Sequence, residues 1–226
     1  MKFLHTEAWG FEHAIRGMRN PLESWDKSDS GYKYAVDFED KTEEKVFVVG
    51  KNDLQLMQKL IRAGSEHRKF MRQIFVSVDV TAPLYWWKEF DTYKVGTVAN
   101  STSTMHKLAS TPITRDCFEM DDYNLIEFDI DGEIDFHSET LWDNVIYFLE
   151  VLREKYNETK DKRYWKELIR LLPESWLQTR TVTLNYENLL SMIRQRSHHK
   201  LREWSVDFIS WVKCLPYAEE LLFLGE

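Results

Sequence analysis

Within the stretch of residues 70–80, which reads as a strand, β-branched side chains fall on every second position from Ile74 onward. Ile74, Val76, Val78 and Val80 alternate with Phe75, Ser77 and Asp79, the period of a half-buried strand. Pro83 ends the run, because proline has no N–H to give to a ladder. Elsewhere the period is helical. Residues 52–63 carry Leu54, Met57, Leu60 and Ile61 on one stripe, with Gly64 where a C-cap belongs. Residues 138–156 form a longer amphipathic stretch, with Ser138 as N-cap and Leu141, Val145, Phe148, Leu149 and Leu152 on one side. A second helix over 164–172 stops near Pro173, Asn185 caps a third that carries Leu189, Met192 and Ile193, and Leu201, Trp204, Phe208 and Trp211 make a fourth stripe. Residues 121–136 alternate acidic and apolar groups around Asp131-Gly132, a hairpin turn signal. The pattern predicts an α+β fold, an antiparallel or mixed sheet packed against long helices.

Two stretches break the periodicity. Residues 10–45 are polar and turn-rich, with Asn20-Pro21 as punctuation, and read as a loop or flap. Residues 112–137 read as a strand elaboration on one domain spanning 1–226. Alternating acids on a strand are its wet face before they are a metal site, and their spacing matches no calcium loop.

Composition narrows the class. Hydrophobic residues make up 43% of the chain and aromatics 14%, which excludes overall disorder. Nine Trp exceed what the core needs, so some are expected in a pocket or subunit contact. The net charge of −8 argues against broad nucleic-acid binding but leaves room for one basic pocket. Cys117 and Cys214 match no metal spacing, and a reducing, cytoplasmic setting accounts for them most simply. No run of about 18 apolar residues predicts a membrane span. GxGxxG, GxxxxGK[ST], GxSxG and HExxH are all absent.

The candidate chemistry lies in two blocks. After Pro83 comes the aromatic run Leu84, Tyr85, Trp86, Trp87 and Phe90, then a hydroxyl-rich segment over 95–105, together a cradle for a nucleotide. This block resembles the central signature of the flavin-dependent thymidylate synthases. His67 and Phe70 stand where that family has a His-x-x-Phe before its strand, and Ala82-Pro83 where the strand ends. Laid on without a gap, the family's Arg-His-Arg triplet falls on Thr92, Tyr93 and Lys94, its next Ser on Thr97, its Asn-Glu on Ala99-Asn100, and its Ser-x-Arg-Tyr on residues 102–105. A second block agrees in order: Leu168-x-Arg170, Pro173, Thr179-Arg180, then Asn185, Leu189 and Arg196, then His199 and Glu203. The resemblance covers roughly residues 50–110 and 165–215.

The resemblance implies a homotetramer whose sites form between subunits, with no membrane. It implies a dUMP-like nucleotide substrate, FAD, and methyl transfer to C5 of the base fed by NADPH and methylenetetrahydrofolate. Carried over by position, Arg170, Arg196, Glu89, Asn100, Thr102 and Thr104 would bind substrate, and His67, Tyr93, Lys94, Asn185 and His199 the flavin. Arginine suits phosphate because its planar fork stays charged. The departures cut the other way. Thr92 and Tyr93 are uncharged, Lys94 is a point charge, Glu89 replaces a neutral Gln, and Thr104 replaces an Arg. Each lost charge-assisted bond weakens binding by about 1.5–3 kcal/mol. Tyr93, Trp86 and Trp87 offer stacking in exchange, at about 1–3 kcal/mol per base, with core packing at least as good an account of the two Trp. Two alternatives therefore stand beside a working synthase. One is a nucleotide-binding or sequestering homologue without flavin. The other is an enzyme for a different pyrimidine nucleotide, its base read by Glu89 and Asn100.

Overall fold

The β-branched alternation of residues 74–80 becomes the strand around which the rest is arranged. In a computed structural model of the chain, which describes residues 1–36, 43–120, 127–130 and 134–224, Val76, Val78, Val80 and Ala82 are buried while Phe75, Ser77, Asp79 and Thr81 face outward. This strand, Phe75–Pro83, is β4; β1 (Lys2–Trp9), β4, β8 (Leu177–Asn185) and β5 (Val98–Ser101) form a four-stranded sheet in the order β1-β4-β8-β5. Two further two-stranded sheets are antiparallel pairs, β2 (Gly31–Val36) with β3 (Glu43–Val48), and β6 (Glu127–Ile130) with β7 (Ile134–His137). The Asp131-Gly132 turn and the acids of 121–126 lie outside the described residues. The α+β class and the antiparallel pairing expected from the sequence are both present.

The chain divides into two compact units, one of Met1–Lys2, Val80–Thr92 and Asn100–Arg180, the other of Phe3–Asp79, Tyr93–Ala99 and Thr181–Glu226. The first holds α3 (Leu84–Phe90), α4 (Thr104–Lys107), α5 (Ser138–Thr159) and α6 (Lys162–Leu171). Its core is Leu108, Ile113, Phe118, Leu149 and Leu168, with Trp142, Val145, Ile146, Leu152 and Trp176 packed against it. The stripe expected on α5 is thus partly displaced: Trp142 and Ile146 point inward, and Leu141 and Phe148 are 46% and 62% exposed. Trp86 and Trp87 are also core, each 1% exposed and edge to face at 4.8 Å. They offer no stacking shelf, because their area is already spent on α3's packing.

The second unit holds α1 (Phe11–Arg19), α2 (Lys51–Arg62), α7 (Tyr186–Arg196), a wide turn with π-type hydrogen bonds (Glu203–Phe208), α8 (Ile209–Lys213) and α9 (Ala218–Leu221). Residues 10–45 are not a plain loop, since α1 and the strands of a hairpin lie in them. Phe11, Ala14 and Ile15 recur at i, i+3 and i+4 and are all buried, but the charges between them mask the stripe. Asn185 caps α7 as expected: its side chain accepts from the Asn188 N–H at 3.0 Å, and Asn188 Oδ1 accepts from the Asn185 N–H at 3.2 Å. Trp204 and Phe208 of the fourth stripe are buried as well. Among the described residues no helix is long and apolar enough to cross a membrane, and none group to hold a metal ion.

Candidate functional site

The alternation of β8 ends at Asn185, and the capping box there fixes the start of α7. The segment after Thr92 closes onto that cap. Asn188 Nδ2 donates to the Val95 carbonyl at 2.7 Å. A Cβ on Gly96 would lie 3.0 Å from Asn188 Oδ1 and 3.1 Å from Asn185 Nδ2, a tight approach, and its φ of +79° favours glycine there. Thr97 donates its hydroxyl back to the Tyr93 carbonyl. This tight segment delivers Tyr93 to the last turn of α7.

There Tyr93 meets Arg196. Arg196 Nε donates to the Tyr93 hydroxyl at 2.9 Å, and that hydroxyl donates to Gln195 Oε1 at 3.1 Å. The guanidinium carbon lies 5.6 Å from the Tyr93 ring centroid and 5.0 Å from that of Trp204. Each such contact contributes about 0.5–2 kcal/mol, more as water is excluded. Next in the chain, Lys94 is exposed and has no partner among the described residues. Arg196, Tyr93 and Lys94 are the sequence-predicted residues the second unit brings together.

The others in this unit stand separately. His67 is exposed and lines a cleft of about 620 Å³ with Met18, Asn20, Leu22, Leu60 and Phe70. Its neighbour Arg68 is locked in a two-pronged ion pair with Glu187, at 2.9 and 3.0 Å. His199 Nδ1 accepts from the Leu201 N–H at 3.1 Å, which reserves that nitrogen's lone pair. Asn185 is buried in its cap. Tyr93, Asn185 and His199 are thus engaged within the chain, and they do not fit a flavin unless they give up these bonds. His67 and Lys94 remain open to one.

In the first unit a polar strip joins β8 to the segment at β5. The Thr102 N–H donates to the Thr179 carbonyl at 2.8 Å, and Gln178 Nε2 donates to the Thr102 carbonyl at 3.0 Å and to Thr104 Oγ1 at 3.3 Å. Gln178 also accepts from Arg180 Nε at 2.9 Å, and Arg180 Nη1 donates to Asp91 at 2.7 Å while lying 4.2 Å above the Trp87 ring. Gln178 and Asp91 were not among the residues singled out in the sequence. Only the two-residue step between Gln178 and Arg180, which puts both on one face of β8, hinted at the pairing. Asn100 is exposed on β5, and Glu89 is half-buried on α3 with its carbonyl taking the Thr92 N–H and hydroxyl. Arg170 is 60% exposed on α6 and pairs with Glu167 at 2.9 Å.

No family model matches the chain, and no curated protein matches it. Solved structures do. A flavin-dependent thymidylate synthase, ThyX, from Helicobacter pylori in complex with FAD and dUMP has a TM-score of 0.65 at 16% identity, over 99% of this chain and 98% of that one. A second structure of the same enzyme with FAD and dUMP gives 0.64 at 17%, with the same coverage. A UMP/dUMP methylase, PolB, from Streptomyces cacaoi bound with 5-Br UMP gives 0.52 at 15%, over 87% of this chain and 95% of that one. The chain therefore has the fold of the flavin-dependent thymidylate synthases.

Proposed function

We propose that this chain binds a pyrimidine nucleotide of the dUMP type at a site shared between subunits, with Arg196 and Arg170 as phosphate anchors and Lys94, Glu89, Asn100, Thr102 and Thr104 brought to the nucleotide from more than one subunit. The observation that carries this reading is the seat of Arg196. A guanidinium already held by a hydroxyl and two rings loses little side-chain freedom when it meets a phosphate. Arg170 is exposed, and an exposed pair such as that with Glu167 contributes about 0.2–1 kcal/mol. Little is therefore lost if the Arg170 guanidinium turns from Glu167 to a phosphate. The dUMP and 5-Br UMP named for structures of the same fold support the ligand class.

Calorimetry with dUMP and UMP tests this directly. Arg196→Ala and Arg170→Ala should each weaken the better ligand by about tenfold or more, the equivalent of about 1.4 kcal/mol. Unchanged affinity in both variants removes the phosphate assignment, and failure of both nucleotides to bind the native protein removes the reading.

A second reading is FAD-dependent methyl transfer to C5 of the base, with NADPH and methylenetetrahydrofolate. It is favoured by the open His67 and Lys94 and by the FAD of the ThyX structures. The internal engagement of Tyr93, Asn185 and His199 weighs against it. Colour separates the two: a yellow preparation that releases flavin on heating supports the enzyme, and a colourless one that binds dUMP supports the binder. On either reading we place the protein in a reducing, cytoplasmic setting as a homotetramer. Light scattering should then give four times the chain mass of 27.1 kDa; a monomer would exclude sites shared between subunits.

A further inference from the structure

One cleft of the second unit is lined by chemistry opposite to that of a phosphate site. It holds about 600 Å³, within the range of pockets for drug-sized ligands. Two edge-to-face ring pairs line it: Phe11 with Tyr217, centroids 5.5 Å apart, and Tyr32 with Phe47, 5.2 Å apart. Trp9 adds a fifth ring, 44% exposed and stacked on Phe75 at 5.9 Å. The rings come from separate elements, and two of them are firmly held. Phe11 is buried at the head of α1, and the Tyr217 hydroxyl accepts the Val49 N–H just beyond β3 at 2.9 Å.

The polar part of the lining is Glu12 and His13; no Lys or Arg is among the lining residues. Glu12 Oε2 takes the Tyr32 hydroxyl at 2.8 Å, and its Oε1 has no partner among the described residues. Aromatic faces carry negative potential and attract cations. The chain itself supplies an example, since Lys45 Nζ sits 4.6 Å from the Tyr32 centroid. The positive end of α1 is met by Glu12 in its own first turn. Lys45, over Tyr32, and Arg16, whose Nη2 lies 3.2 Å from His13 Nδ1, stand at the edge of the cleft, but its lining proper holds five rings and one carboxylate and no Lys or Arg, a set that complements an organic cation better than a phosphate. We propose that this cleft binds an arylalkylammonium ligand, with the ring among Trp9, Tyr32 and Phe47 and the ammonium at Glu12.

Tryptamine and indole-3-propionate test it, because they share a ring and a two-carbon spacer and differ in the sign of the charge. In calorimetry on the full chain, tryptamine should bind at least tenfold more tightly than indole-3-propionate. Glu12→Gln should weaken tryptamine at least fivefold and leave indole-3-propionate and dUMP unchanged. Val46→Lys puts an ammonium on the lining from an exposed position and should invert the preference, which keeps the test alive if Glu12→Gln fails to fold. Equal binding of the two indoles, no binding of tryptamine, or a preference unmoved by the variants would overturn the proposal. An unaffected dUMP affinity shows that the outcome here is independent of the nucleotide reading.

Discussion

Replacing Asp53 with alanine is expected to lower the stability of the chain by about 3–5 kcal/mol, the usual cost of stripping one partner from a buried ion pair. Asp53 is fully buried in the first turn of α2. Its Oδ1 takes Arg19 Nε at 2.6 Å; its Oδ2 takes the hydroxyls of Ser28 and Ser30, each at 2.6 Å, and the N–H groups of Asp29 and Ser30 at 3.2 Å. Arg19, 5% exposed at the end of α1, also holds the carbonyls of Ser24 and Lys27 at 3.2 and 3.1 Å. One carboxylate thus ties α1, α2 and the segment that leads into β2. Without it a guanidinium stays buried with no counter-charge. Urea unfolding at neutral pH checks the figure, and a loss under about 1 kcal/mol would mean that water or a neighbour replaces the carboxylate.

The same group fixes the sign of an acid effect. Burial pushes the Asp53 carboxyl up, but the hydrogen bonds from Ser28, Ser30 and Arg19 and the charge of Arg19 outweigh it, and the net shift is downward. A carboxyl depressed in the folded state contributes stability that is present above its unfolded value of about 3.9 and lost as pH falls through the folded one. The gap between the native protein and Asp53→Asn should therefore be full at pH 6 and shrink below about pH 4. A gap that widens on acidification would reverse the assignment.

What was legible in the sequence is what repeats within a few residues. The alternation of Val76, Val78 and Val80 gave β4 its buried face, and Asn185 announced the head of α7 because a capping residue acts three positions away. Long-range partners leave no such trace. Arg19 and Asp53 are 34 residues apart, and Tyr93 and Arg196 are 103 apart. The resemblance singled out Tyr93 and Arg196 for different ligands, and nothing local said that the hydroxyl of one would orient the guanidinium of the other. Trp86 and Trp87 left stacking and core packing both open, since exposed stacking rings and core rings look alike until tertiary packing decides, here for the core. In α1 the apolar spacing was present at Phe11, Ala14 and Ile15, but a nine-residue helix begun by a glycine with no side-chain cap carries too little signal against its charges.

That glycine gives the other large effect. Gly10→Ala is expected to destabilise the chain by about 2–5 kcal/mol, from two sources that a control can separate. At φ +95° an L-residue is strained by about 1–2 kcal/mol. The new Cβ would also lie 2.1 Å from the Gln73 carbonyl oxygen and 3.2 Å from its carbon, backbone atoms that cannot rotate aside, and such overpacking adds about 1–3 kcal/mol. Gly64, at φ +106° with nothing within 4 Å of a built Cβ, carries the first source alone. Thermal or urea unfolding should therefore rank Gly10→Ala well above Gly64→Ala, and equal losses would show that the approach to Gln73 is not what sets the entry to α1. Gly10 also lines the aromatic cleft between Trp9 and Phe11, so a shift of its own backbone away from Gln73 would carry those rings with it. Gly10→Ala should weaken tryptamine as well, while Gly64→Ala leaves it alone.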